Sequence, residues 1–393
     1  MSTKYFIVYS AATFILQAVV VGNILTFGTT LPILVRELET SFLDAVLTWA
    51  LQVGFFFGGS ILAIPGAQKF GPRPIVLIGS LLWFGGLYGI STATTPKEPI
   101  AYLGCLNGIG GSLVYWASLS QLCKWSPSNT IVTMGAVLFG GSVGQFAYIF
   151  TIPFHIAPIE WKTTYQSAAL IGLSLMIASS LFLFQPPSPK VSTTPIGHIR
   201  SKNTLLFVLS NILLSFALFP PFYLIVMDAQ HMGASFLDAT YLLRYMVGGA
   251  IVGKIAIVEL AKCISPIRAH QLYVLLTALL CFGWLAVQSY VPLVIFSCLY
   301  GFTANSITTL LHLVSLDMWD LSDHTTILLL WAFLMAPGAV IGNVATSNMI
   351  NNALGDIYTS KIFVSCFLFL ALIPLMFIKK DPIIEEVQNI ELA

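Results

Sequence analysis

The sequence predicts an all-α membrane protein with twelve transmembrane helices in two six-helix bundles. Three observations lead to this prediction: the composition, the length of the apolar segments, and one long polar interruption near the middle. The 393 residues are 57% hydrophobic and only 8% charged, with a mean hydropathy of +0.89. Soluble domains carry about 25% charged residues, because polar groups must cover a surface that faces water. The composition therefore excludes a soluble globular protein.

The apolar segments have the length of membrane-spanning helices. A bilayer core requires about 20 apolar residues per helix, and the segments lack the alternation that marks a transmembrane barrel. The first segment follows Lys4 and is too long for the core of a signal peptide, so we expect it to remain as the first helix. The predicted spans, numbered 1 to 12, are 5–28, 44–66, 75–95, 99–122, 130–152, 164–184, 204–228, 237–260, 269–288, 291–314, 324–348 and 360–378.

A polar segment rich in proline and serine, QPPSPKVSTTPIGHIRSK, lies between spans 6 and 7. It divides the spans into two groups of six. We therefore predict an N-terminal bundle over 1–184, a cytoplasmic linker over 185–203, a C-terminal bundle over 204–378 and a cytoplasmic tail over 379–393.

The distribution of Lys and Arg predicts the orientation of these spans. An even number of spans places both termini on one side, and loops rich in Lys and Arg face the cytoplasm. The side of the termini holds eleven cations: Lys4, Lys69, Arg73, Lys124, Lys190, Arg200, Lys202, Lys262, Arg268, Lys379 and Lys380. The other side holds four: Arg36, Lys97, Lys162 and Lys361. We expect both termini in the cytoplasm, and a plasma membrane rather than an organelle membrane.

A short basic turn recurs at the same place in each half. It reads GAQKFGPRP between spans 2 and 3, and ELAKCISPIR between spans 8 and 9. Repeated halves with a site between them are typical of alternating access, in which one bundle rocks against the other. Glycines four residues apart on spans 2, 4, 5, 8 and 11 allow the close helix contacts that rocking needs, although such pairs are common in membrane proteins.

The loop KFGPRPIVLIG after span 2 resembles the signature between helices 2 and 3 of the major facilitator superfamily, in the form used by the monocarboxylate porter family. Further segments match in order: LNGIGGSLVYW in span 4, GGSVGQ in span 5, EWK before span 6, WDL after span 10 and LGDIY before span 12. The resemblance covers nearly the whole chain and implies a secondary transporter. Its motifs imply a conformational switch formed by Gly71, Arg73, Asp320, Gly355 and Asp356.

Four departures from the family pattern bear on the mechanism. Gln68 occupies the usual acidic position of the loop, and the opening MSTKYFIVYS lacks the family's acidic, glycine- and tryptophan-rich segment. The lysine that many members of the family carry in helix 1 would fall near Thr29 in this sequence. The aspartate and arginine of helix 8 correspond to Ala250 and Lys254. Because the cation is retained and the acid is lost, we expect anion binding more than proton coupling.

Two cations in span 8 are the first candidates for a substrate site. A cation at the centre of a membrane helix costs about 2.5 to 3.5 kcal/mol on insertion scales, so Arg244 and Lys254 require an explanation. They lie about 15 Å apart along the helix and about 80° apart around it, so both can face one hydrated cavity. Alternatively, Lys254 reaches the cytoplasmic edge or pairs with Glu259, and Arg244 packs or joins a structural ion pair.

Other polar residues are weaker candidates. His312 in span 10 is expected either to carry a proton or to be a satisfied polar group at a helix contact. We interpret Asp317, Asp320, Asp323 and His324 as residues that cap span 11 rather than as metal ligands. The six cysteines have no metal-site or disulfide spacing. No nucleotide-binding or hydrolase motif is present, so we expect neither an enzyme nor a cofactor.

The sequence thus predicts a secondary transporter that moves a small organic anion, first of all a monocarboxylate, by alternating access. The expected partners are this small-molecule substrate and the lipid bilayer, while an accessory membrane subunit is left open. A net charge of +1 does not indicate nucleic acid as a partner. One alternative is a uniporter or exchanger of a neutral solute or another anion. The other is a non-transporting membrane sensor of the same fold, which the short loops disfavour.

Overall fold

The computed structural model describes residues 3–125, 130–151, 161–185, 201–319, 321–352 and 357–378. All regular secondary structure in these ranges is helical, and the helices form twelve passes, which confirms the predicted fold class. Ten of the passes are long and apolar enough to cross a membrane. The other two are spans 4 and 6.

The N-terminal half contains spans 1 to 6. Span 1 consists of α1 (Thr3–Leu25) and α2 (Phe27–Glu37), span 2 of α3 (Phe42–Gly58) and α4 (Ser60–Phe70), span 3 of α5 (Pro72–Thr92), span 4 of a π-helical segment (Ile100–Asn107) and α6 (Gly108–Leu122), span 5 of α7 (Thr130–Thr151), and span 6 of α8 (Trp161–Ser180).

The C-terminal half contains spans 7 to 12. Span 7 consists of α9 (Lys202–Leu218) and α10 (Pro221–His231), span 8 of α11 (Phe236–Cys263), span 9 of α12 (Pro266–Trp284), span 10 of α13 (Tyr290–Asp317), span 11 of α14 (Leu321–Asn352), and span 12 of α15 (Tyr358–Met376). Residues 186–200 and 379–393 lie outside the described residues, and the predicted domain boundaries stay a prediction.

The first span of each half is broken. Span 1 is interrupted at Thr26, whose hydroxyl bonds back to the carbonyls of Gly22 and Asn23. Span 7 is interrupted at Pro220 and Pro221, because proline lacks an amide donor and clashes with the preceding turn. The outer segments α2 and α10 pack against each other across the two halves. Both breaks therefore lie where the halves meet.

The turn between spans 2 and 3 depends on a glycine. Gly71 ends α4 with φ of +85°, a conformation that L side chains rarely adopt, and Pro72 begins α5 at the first helical position. The chain therefore reverses within one residue.

The two halves meet mainly through spans 2 and 11 and through spans 5 and 8. Small residues permit these contacts: a Cβ on Gly54 would collide with Val340, and a Cβ on Gly135 would crowd Val258. We call the side of the protein with the ends of spans 1 and 12 near Thr3 and Met376 the termini side, and the other the opposite side. The assignment of the termini side to the cytoplasm stays a prediction.

Candidate substrate site

A cavity of about 50 Å³ lies between the two halves. Its lining comes from spans 1, 2, 4 and 5 of the N-terminal half and from spans 7, 8, 10 and 11 of the C-terminal half. A cavity of this size has room for only a few water molecules. The structure therefore represents a contracted conformation of the site.

Lys254 is one of the residues that line this cavity. Its side chain is only 3% exposed, and its ammonium donates a hydrogen bond to the carbonyl of Leu138 at 2.9 Å, from span 8 to span 5. No carboxylate in the described part of the chain lies within salt-bridge distance of it, so it neither pairs with Glu259 nor reaches the membrane edge. A buried charge without a counter-charge is costly. The site therefore contains a buried basic side chain without a carboxylate partner in the described part of the chain.

His312 lines the same cavity and joins the two halves. Its Nε2 atom and the hydroxyl of Tyr115 form a hydrogen bond of 2.8 Å between span 10 and span 4. Its Nδ1 atom has no hydrogen-bond partner among the described residues. The ring also lies 5.6 Å from that of Trp116 and 5.2 Å from that of Trp331. His312 is thus only partly satisfied at a helix contact, and its role in proton transfer stays a prediction.

Two further polar side chains face the cavity with unused hydrogen-bonding capacity. The amide of Gln17 and the hydroxyl of Thr309 are buried and have no hydrogen-bond partner within the described ranges. Sequence analysis did not identify either residue, because neither carries a charge and both lie on apolar spans. With Lys254, they give a ligand up to three kinds of donor.

The remaining lining is apolar and contains several aromatic rings. Phe56 lies 4.8 Å from Tyr115 within the N-terminal half, measured between ring centroids. Phe57 lies 5.6 Å from Phe219, which belongs to the other half. The cavity therefore combines one cation with an aromatic wall.

Arg244 does not line this cavity. Its guanidinium carbon lies 4.3 Å from the centroid of the Tyr241 ring and 5.0 Å from that of Phe150, as expected for cation–π contacts. The structure thus separates the two cations of span 8. A direct contact of Arg244 with substrate stays a prediction.

The residues of the predicted switch are only partly described. Gly71 forms the turn given above, and Arg73 is exposed in the first turn of α5, where it has no hydrogen bond or ion pair with a described residue. Asp320, Gly355 and Asp356 lie outside the described residues. Their roles in switching stay predictions.

The structure contains a buried ion pair that the sequence analysis missed. Asp228 of span 7 and Lys361 of span 12 are 2.7 Å apart, and both side chains are buried. Lys361 and Asp228 lie at the ends of predicted spans 12 and 7, and the sequence analysis counts Lys361 with the cations of the opposite side, so neither is treated there as an intramembrane charge. The available signal was one acid and one base placed inside apolar helices, which generally require partners there.

Comparison of the sequence with known families identifies a match over most of the chain. The profile of the Major Facilitator Superfamily matches residues 13–343. The MFS-type transporter pynF of Aspergillus niger is 23% identical over 296 residues, which cover 74% of this chain and 68% of the relative. MFS-type transporter 1 of Ophiocordyceps sp. is 23% identical over 289 residues, which cover 71% of this chain and 64% of the relative. Monocarboxylate transporter 13 of Rattus norvegicus is 24% identical over 308 residues, which cover 76% of this chain and 71% of the relative.

Two solved structures have the same fold. The Escherichia coli fucose:proton symporter FucP matches with a TM-score of 0.66 and 15% identity, over 96% of this chain and 100% of that one. The proton:xylose symporter XylE, bound to 6-bromo-6-deoxy-D-glucose, matches with a TM-score of 0.70 and 14% identity, over 97% of each chain. At these identities, the likeness shows the fold alone.

Proposed function

Because this chain belongs to the major facilitator superfamily and is a multi-pass membrane transporter rather than an enzyme, we propose that it carries a small organic anion, first of all a monocarboxylate. The transport occurs by alternating access of the central cavity to the two sides of the membrane. The observation that carries this proposal is the buried ammonium of Lys254, which lines the cavity and has no carboxylate partner among the described residues.

An incoming carboxylate supplies the negative counter-charge that Lys254 does not find among the described residues. Two unit charges 4 Å apart attract each other by about 4 kcal/mol at an effective dielectric constant of 20, and a carboxylate has two oxygens that accept hydrogen bonds. Lys254 has donors beyond the one that binds the Leu138 carbonyl, and Gln17 and Thr309 supply others. The substrate thereby exchanges its water shell for protein donors.

The names of one group of relatives support a carboxylate as cargo. Monocarboxylate transporters 13 and 11 of mammals are 24% identical to this chain. The fungal relatives are named only as MFS-type transporters and give no substrate. The assignment to a monocarboxylate therefore depends mainly on the single cation in the cavity.

A neutral sugar, which the two structural neighbours carry, fits this cavity less well. Ten of the sixteen lining residues are Val, Ile, Leu, Phe or Trp. Each sugar hydroxyl left without a partner in such a site costs about 1 to 3 kcal/mol. A dicarboxylate is also disfavoured, because Lys254 is the single Lys or Arg of the described lining. These features favour a monoanion.

Uptake by proteoliposomes tests the proposal. We expect saturable uptake of one or more labelled monocarboxylates from a panel, its loss in Lys254→Ala, and partial uptake in Lys254→Arg, because arginine keeps the charge but not the geometry of the ammonium. Lys97→Ala, which removes an exposed lysine outside the cavity, is the control and should transport normally. Normal uptake by Lys254→Ala would contradict the proposal, and ligand binding without uptake would indicate a sensor.

A further inference from the structure

We propose that the monoanion carries an aromatic ring, and that this ring replaces contacts between aromatic side chains that the two halves make with each other. The inference rests on the proposed function, because it describes the apolar part of the same cargo. It depends on a different set of contacts, which do not involve Lys254.

Aromatic side chains from both halves meet around the cavity. Phe57 of span 2 lies 5.6 Å from Phe219 of span 7, and both line the cavity. Trp116 of span 4 lies 5.6 Å from Trp331 of span 11 in an edge-to-face arrangement, with 76° between the rings. Each pair joins one ring of the N-terminal half to one ring of the C-terminal half. These rings are buried in the present conformation.

Alternating access must separate these pairs. When the halves part on one side of the cavity, each ring on that side loses its partner and faces the opening. Ring pairs at centroid distances of 4.5 to 7 Å are favourable beyond the area that they bury, so their loss opposes opening. An aromatic cargo between the separated rings restores ring-to-ring contacts on both faces. A short aliphatic acid fills less of the gap and has no π face.

The size of the cavity requires that it expand before a ring can bind. An engineered protein cavity of about 150 Å³ binds benzene, whereas the present cavity measures about 50 Å³. A ring can therefore enter only if the cavity expands, and separation of the two halves expands it. The movement that admits the cargo is then the same movement that breaks Phe57 from Phe219.

The charge of the site limits the cargo further. Lys254 lies among apolar residues, so the site fits one carboxylate on an aromatic body and offers no second cation in the described lining. The expected class is an aryl or arylalkyl monocarboxylate.

Competition for uptake in proteoliposomes tests this inference. The labelled probe is benzoate at pH 7.5, with uptake into protein-free liposomes subtracted. The unlabelled competitors are benzoate, cyclohexanecarboxylate and acetate. The measured quantity is the concentration of each competitor that halves uptake. We expect benzoate to compete at least about fivefold better than cyclohexanecarboxylate, which corresponds to about 1 kcal/mol, and acetate to be the weakest.

The benzoate preference is the half-inhibiting concentration of cyclohexanecarboxylate divided by that of benzoate. The variants Phe57→Leu and Phe219→Leu should reduce this ratio toward one while uptake persists. Phe369→Leu removes an exposed ring that is not part of the cavity lining and should keep the preference. The ratio of competitor concentrations does not depend on the amount of folded protein, so a partly misfolded variant remains informative.

The outcomes separate the two proposals. If uptake depends on Lys254 but acetate or cyclohexanecarboxylate competes as well as benzoate, the aromatic cargo is wrong and the anion carrier stands. An unchanged preference in both Phe57→Leu and Phe219→Leu also overturns the inference. If no carboxylate of the wider panel is taken up above protein-free liposomes, the proposed function itself is wrong.

Discussion

Asp228 and Lys361 form a buried ion pair, in which a carboxylate oxygen and the ammonium nitrogen lie 2.7 Å apart. The same oxygen accepts a hydrogen bond of 2.7 Å from the indole of Trp284, and the ammonium lies 5.1 Å from the centroid of that indole. The three residues belong to spans 7, 12 and 9. The pair thereby ties α10, the outer segment of the broken span 7, to the rest of its own half.

The corresponding segment of the N-terminal half is tied differently. Thr30 of α2 and Tyr165 of span 6 form a hydrogen bond of 2.6 Å between their hydroxyl groups. Breaking a hydrogen bond between two neutral groups costs less free energy than separating a buried ion pair. Since α2 and α10 pack against each other where the halves meet, the two sides of this contact are held by different interactions, an ion pair on one side and a neutral hydrogen bond on the other.

We expect the protein to be destabilised when only one partner of the ion pair is removed. Asp228→Asn leaves the ammonium of Lys361 buried without a counter-charge and should destabilise the protein by about 3 to 5 kcal/mol. The double variant Asp228→Asn/Lys361→Met should recover much of this loss, because no buried charge is left. Thermal unfolding in detergent measures both effects. Glu37→Gln at the exposed Arg36–Glu37 pair is the control and should change little. Unchanged stability of the single variant would contradict the prediction.

The hydrogen bond between Tyr115 and His312 should favour closure of the termini side. Tyr115→Phe removes a bond between the two halves worth about 1 kcal/mol, so opening should increase about fivefold. The labelling rate of a cysteine at Thr308, which lines the cavity, measures opening in a protein without its native cysteines. Tyr9→Phe is the matched control, because the Tyr9 hydroxyl bonds to Ser118 within one half. Equal labelling in all three proteins would exclude this role for Tyr115.

Arg73 should affect the rate of switching more than the affinity for substrate. The side chain is exposed and without a described partner in this conformation, so it is available to bind helix-end carbonyls or an acid in another. Arg73→Ala should lower the turnover number in uptake assays and change KM little. Lys69→Ala removes another exposed cation of the same turn and serves as the control. Unaltered turnover in Arg73→Ala would leave this residue as a topology signal only.

Transport should not be strictly proton-coupled. Ala250 stands where related sequences would place an acid, and Asp228, the acid that the sequence analysis overlooked, is compensated by Lys361. A pH gradient should therefore alter the rate only through the ionised fraction of the substrate, or through His312 if that residue titrates. Uptake with and without an imposed gradient measures this. Uphill accumulation that depends on the gradient and persists when His312 is replaced would show that the prediction is wrong.

The loop around Lys97 should face the outside. In a protein without its six native cysteines, a single cysteine at position 97 should react with a membrane-impermeant maleimide added to intact cells. A cysteine at position 268, which is exposed on the termini side, should react only after the cells are permeabilised. The reverse pattern would invert the topology.

The twelve passes and the membrane class follow from local properties of the chain. Hydropathy over about 20 residues and the absence of charge are sufficient to place a helix in a bilayer, because each helix satisfies its own backbone hydrogen bonds. The special status of Lys254 also follows locally, since an isolated cation inside an apolar helix is visible without any partner. The break of span 7 at Pro220 and the turn at Gly71 also have direct sequence signals, namely a proline and a glycine.

The partners of these residues depend on how the helices pack. Lys254 contacts a carbonyl 116 positions away, and the Tyr115–His312 bond joins residues 197 positions apart. Helical phase predicts that Arg244 and Lys254 share a face, but a rise of about 15 Å takes Arg244 beyond the small cavity, to the ring of Phe150 on span 5. Likewise, Asp228 and Lys361 become a pair only when spans 7 and 12 are adjacent. One sequence shows which side chains need partners, whereas the packing of the helices decides which partners they obtain.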